Sequence, residues 1–107
     1  MVNTATAAAR ICVAEPLTVR GVQDVQAALV AQFSEFSDVE LDIHTASVDC
    51  SGIQLIEAAR RHAREAGKQF RLVNPASGEL LRVLEQGGFM ADASADDRRF
   101  WHHEGGK

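Results

Sequence analysis

VELDIHTASVDCSGIQLIEAARRHAREAGKQFRLVNP, residues Val39 to Pro75, is the stretch whose reading decides the fold. Val39, Leu41 and Ile43 alternate with Glu40, Asp42 and His44, the two-residue period of a strand with one face buried. Polar and small residues follow as far as Ser47. From Val48-Asp49-Cys50-Ser51-Gly52 the chain enters a run of good helix formers that ends at Gly67, a residue suited to the left-handed conformation that closes many helices. Phe70, Leu72 and Val73 predict the next strand. Asn74-Pro75 predicts the cap and start of a further helix with Leu80, Leu81, Val83 and Leu84 as its apolar set and Gly87-Gly88 as its stop. Tandem strand-helix units imply parallel strands joined by right-handed crossovers.

Upstream, Ile11 and Val13 alternate around Cys12, Glu15-Pro16 interrupts, and Leu17 and Val19 resume the pattern, which predicts an edge hairpin or a strand bent at the proline. Val22, Val25, Leu29 and Phe33 recur at helical spacing and predict an amphipathic helix of about three turns. Met1 to Ala9 predicts a frayed or disordered lead. From Met90 to Lys107 the chain returns to polar residues, with a short helix possible after Ser94 and a lone Trp101 that either docks on the sheet or helix surface or marks an interaction tail. The expected core includes Ile43, Val48, Ile56, Leu72 and Leu84, with Cys12 as a small buried residue. On the helix after Ser51, Glu57, Arg60, Arg61, Arg64 and Glu65 are expected to face water, Glu57 pairing with Arg61 at i,i+4. Lys68 extends this basic face, to which a minor binding role is assigned.

At 107 residues the chain is expected to form one domain with a modest core. A formal charge of −4 disfavours nucleic acid or an anionic membrane as partner, because both need a concentrated positive surface. No apolar run approaches the roughly 20 residues of a membrane span, and MVNTATAAAR lacks the pattern of a secretion signal, so a cytoplasmic protein is expected. Cys12 and Cys50 have no CxxC spacing and no nearby His placed as a metal partner. No metal, no cofactor and no disulfide is expected.

Ser51 followed by Gln54 fits a capping box, which puts the Ser51 hydroxyl at the helix start. The positive end of the helix dipole and the first-turn amides there favour a phosphoryl group on that hydroxyl, and Gly52 leaves the approach open. The bland alternative is an ordinary helix cap at Ser51, with Asp49 a loop-end or cap residue and Asp42 an exposed strand residue.

Asp42 before the loop, then Asp49-Cys50-Ser51-Gly52-Ile53 opening a helix, resembles the signature of the STAS domain family, which includes bacterial anti-sigma-factor antagonists. The similarity extends from about Arg10 to Phe89, with Glu15-Pro16-Leu17-Thr18-Val19 similar to the first hairpin of members associated with chemotaxis operons. The two ends, 1–9 and 90–107, fall outside it. The resemblance implies an α/β fold with a mixed, mostly parallel sheet of about four strands and three or more helices on one face. It also implies a non-enzymatic regulatory module that docks a partner kinase or anti-sigma factor and is switched by phosphorylation at Ser51. Asp42, His44, Asp49, Cys50, Gly52 and Gln54 would complete the binding and switch loop. Cys50 departs from the Ser or Thr commoner in the family at that position.

A STAS subunit of a chemotaxis complex or of a lipid-transport ATPase is the alternative within binding modules. A small enzyme with Cys50 as nucleophile is the alternative of another class, and it lacks a complete base and orienting pair, with only His44 near in sequence. A receiver domain would need an acid pair after the first strand and a late lysine. Neither is present.

Overall fold

The computed structural model describes residues 9–104. In chain order these form β1 (Ala9–Val13), α1 (Val22–Glu35), β2 (Asp38–Ile43), α2 (Cys50–Ala66), β3 (Gln69–Leu72), α3 (Gly78–Gln86) and α4 (Ala95–His102). The strands lie in the order β1-β2-β3, and both pairings are parallel. This is a small α/β fold with a three-stranded parallel sheet and four helices among the described residues.

Register explains which side is covered. Ala9, Ile11 and Val13 stand opposite Val39, Leu41 and Ile43, and Val39 and Leu41 in turn oppose Phe70 and Leu72. These apolar rows face the helices. Phe33 of α1 and Phe100 of α4 both meet the Phe70 ring, at 5.6 and 5.5 Å between centroids. α2 packs beside α1 and on β3, and α3 packs on α2. The opposite side of the sheet carries Arg10, Cys12, Glu40, Asp42 and Arg71, none of them fully buried. Glu40 there accepts from Arg10 at 3.1 Å on one side and from Arg71 at 2.7 Å on the other. Parallel sheets are usually covered on both faces. Among the described residues this one is covered on one face and polar on the other.

Several expectations are corrected. The first strand does not fold back as a hairpin; after Pro16 the chain returns only as a single parallel bridge between Leu17 and Val48. The sheet therefore has three strands among the described residues, all parallel, in place of about four in a mixed sheet. Ala9 already belongs to β1, while the rest of the expected disordered lead lies outside the described residues. α3 starts at Gly78 with Ser77 as its cap, three residues beyond the predicted Asn74-Pro75 start. Cys12 is exposed, because the alternation that turns Ile11 and Val13 inward turns it outward. Of the five expected core residues Val48, Ile56, Leu72 and Leu84 are buried, whereas Ile43, at the end of β2, is partly open.

From Gly88 to Glu104 the chain is not a tail. α4 forms where a short helix was considered, opened by a capping box in which Ser94 and Asp97 exchange side-chain to backbone bonds. Trp101 is 0% exposed. Its indole Nε1 donates to Glu57 Oε2 at 2.8 Å, and its carbonyl accepts from the Ala76 amide at 2.7 Å. Arg60, expected in water, is only 7% exposed. It donates to Glu57 at 3.2 Å and to Asp97 at 3.0 Å, with its guanidinium 4.5 Å from the centre of the Phe100 ring. Glu57 is thus paired with Arg60 and Trp101, and not with Arg61.

Candidate functional site

The loop of residues 44–49 delivers the chain from β2 to the N-terminus of α2, and this is where the Asp49-Cys50-Ser51-Gly52 stretch sits. The Leu17-Val48 bridge ties that loop to the one following β1. Leu17 donates its amide to the Ser47 carbonyl at 2.7 Å and accepts from the Asp49 amide at 3.0 Å. Leu17 itself is fully buried.

The residue that caps α2 is Asp49, not Ser51. Asp49 has extended backbone, and its Oδ1 accepts from the Ser51 amide at 2.8 Å. Its Oδ2 accepts from the Val19 amide at 3.4 Å. One carboxylate therefore both caps α2 and holds the β1–α1 loop. Aspartate is among the best residues for the position, and its charge also suits the positive end of the helix. Ser51 then falls inside the first turn, its side chain free of the capping box expected with Gln54. Among the described residues the Ser51 hydroxyl makes no hydrogen bond, and the residue is partly exposed.

Gly52 also has a different reason from the one expected. It is buried, and a Cβ built on it would stand 2.4 Å from the Leu17 carbonyl oxygen and 2.7 Å from Leu17 Cβ. The glycine lets the β1–α1 loop press onto α2; it does not open a path to Ser51. Exposed Cys50 and Gln54 neighbour Ser51 on α2, and Val19, 72% exposed, is held by its amide to the same Asp49 carboxylate. Sequence reasoning missed Val19, although an apolar residue just after a proline turn is a usable signal.

Asp42 and His44 are brought together, with 3.0 Å between Asp42 Oδ2 and His44 Nε2. They stand on the open side of the sheet beside Cys12, and among the described residues no hydrogen bond joins either to Asp49, Cys50 or Ser51. Asp49, Cys50, Ser51, Gly52 and Gln54 share the capped start of α2, while Asp42 and His44 stand together on the sheet. The expectation that no histidine stands by a cysteine is corrected for Cys12.

A cleft of about 560 Å³ lies between α2, β3 and α4, lined in part by Arg60, Arg64, Lys68, Arg71 and Arg99. Most of these cations are already engaged: Arg60 with Glu57 and Asp97, Arg71 with Asp38 and Glu40, Arg99 with Asp96, and Lys68 with the Phe33 carbonyl. Of the basic face read from the helix, Arg60 and Lys68 are therefore structural, while Arg61 and Arg64 are exposed. No helix among the described residues is long and apolar enough to cross a membrane.

Compared with protein-family models, curated proteins and solved structures, the chain matches none.

Proposed function

We propose that this chain is a regulatory protein-binding module resembling an anti-sigma-factor antagonist, without catalytic activity of its own, which docks a partner protein kinase through the α2 N-terminus and is released when Ser51 is phosphorylated. The observation that carries this reading is the Ser51 hydroxyl, unengaged and partly exposed in the first turn of α2, beside exposed Cys50 and Gln54. An acceptor hydroxyl must reach a kinase without unfolding its own domain, and that position allows it.

Asp49 sets how the switch acts. Its carboxylate already occupies the Ser51 and Val19 amides, so a phosphate of roughly −1.5 to −2 charges on Ser51 meets a negative neighbour where the sequence alone suggested free donors. The phosphate turns outward, into the surface that a partner would cover. A partner that docks there has to desolvate a poorly paired charge, which costs several kcal/mol and lowers affinity about a hundredfold.

The test is binding by substituted proteins to the partner captured from the native cell by the unmodified chain. Ser51→Ala is expected to bind as the parent does, and Ser51→Asp about a hundredfold more weakly, with both melting within about 1 kcal/mol of the parent. Equal affinities for the two variants would refute the switch. Cys50-dependent turnover in a clean preparation would refute the non-enzymatic reading.

A further inference from the structure

Cys12, Asp42 and His44 form a cluster that the proposed switch does not use. Cys12 and Asp42 are register partners on the neighbouring parallel strands β1 and β2, on the side of the sheet away from the helices. His44 lies two positions beyond Asp42 and so on the same side by strand periodicity. A bond from its amide to the Val13 carbonyl, at 2.8 Å, continues the β1–β2 ladder past the end of β2 and holds it there. One sulfur, one carboxylate oxygen and one imidazole nitrogen consequently lie within 4.8 Å of one another. Cys12 and His44 are exposed, while the Asp42 side chain is only 13% exposed beneath them.

We propose that these three residues bind a zinc ion, with water in the fourth position. Tetrahedral zinc takes thiolate at about 2.3 Å and nitrogen or oxygen at about 2.0–2.2 Å, which sets its ligand atoms about 3.3–3.6 Å apart. Asp42 Oδ2 and His44 Nε2 stand 3.0 Å apart and need to open by only a few tenths of an ångström. The sulfur, on an exposed side chain, closes the remaining distance by rotation about its Cα–Cβ bond.

The donor set chooses the metal. Magnesium and calcium take oxygen ligands, whereas zinc accepts thiolate, imidazole and carboxylate together. The ladder already fixes the backbone of all three residues, so binding has only side chains to order. Binding displaces to solvent both the thiol proton of Cys12 and the Nε2 proton that His44 directs at Asp42, leaves the imidazole protonated on Nδ1, and exchanges the Asp42–His44 contact for two bonds to the ion. Three protein ligands leave one position for water or an incoming group, on the open face of the sheet near the carboxyl ends of β1 and β2.

Zinc titration of the reduced, chelator-stripped chain against a chromophoric chelator tests this, together with the absorption spectrum of the cobalt(II) form. The expected result is one zinc per chain and a cobalt spectrum with a thiolate charge-transfer band and the strong visible bands of four-coordinate geometry. Cys12→Ser should abolish the charge-transfer band, and Cys12→Ser and His44→Asn should each weaken zinc about a hundredfold or more, beyond what loss of an outer partner costs. Both residues are exposed, so melts of these variants should match the metal-free parent. Cys50→Ser and the double variant His102→Asn/His103→Asn should bind as the parent does. Zinc binding that survives Cys12→Ser and His44→Asn, that disappears in the Cys50 or His102/His103 variants, or that is absent at tens of micromolar protein would overturn the assignment.

Discussion

Gly52 has no room for a side chain, because the backbone of Leu17 fills the space a Cβ would take. Gly52→Ala should therefore cost on the order of 1–3 kcal/mol, as overpacking does, and a melt equal to the parent's would contradict the contact. Trp101, fully buried against Glu57, should lose about 3–5 kcal/mol on truncation to alanine, read as a drop in the thermal midpoint. The two positions differ in how far the sequence could show them. Cys12 was readable in principle: if Ile11 and Val13 point inward, the residue between them points out. Its neighbours were not, since only the register of β1 on β2 shows that Asp42 and His44 stand beside it. Asp49 as the cap was among the readings open from sequence, but its hold on Val19, thirty residues earlier, was not.

α4 is eight residues long and half charged, too short and too polar to be stable alone. It persists because Ser94 and Asp97 cap it, Arg60 pairs with Asp97, and Trp101 and Phe100 pack inward. Sequence pattern could suggest the helix from its cap but could not dock it, because the docking partner, Arg60, has the appearance of one more arginine on a wet face. The Ser94 amide, with help from Arg60, holds the Asp97 carboxyl below its ordinary range despite partial burial. A depressed folded pKa means stability that is present above the unfolded value of about 3.9 and is lost as pH falls through the lower folded value. Trp101 is the only tryptophan, so its fluorescence reports α4 directly. Acidification below about pH 4 should lower the midpoint of the fluorescence melt in the parent. Asp97→Asn should melt lower at neutral pH yet decline less with acid. An identical acid slope in the two proteins would show that Asp97 does not carry this linkage.

At the scale of the fold, the described residues form a one-sided layer of helices on a parallel sheet, and that much was legible from the two-residue period of Val39, Leu41 and Ile43 joined to the helical run that ends at Gly67. Ile56 and Leu72 are buried where that layer meets the sheet, and either one changed to alanine should cost about 2–5 kcal/mol. Strand count was less legible, because a proline break reads equally well as a hairpin or as an exit from the sheet. The β1–α1 and β2–α2 loops converge on Asp49 next to Ser51, which puts the residues of the proposed switch at the carboxyl end of the sheet. That switch is tested most directly by incubating the chain with extract of its native cell and ATP and mapping the phosphate by mass spectrometry. The account predicts phosphate on Ser51, absent in Ser51→Ala. Phosphate confined to another residue, or none in an extract that holds the bound partner, would contradict it.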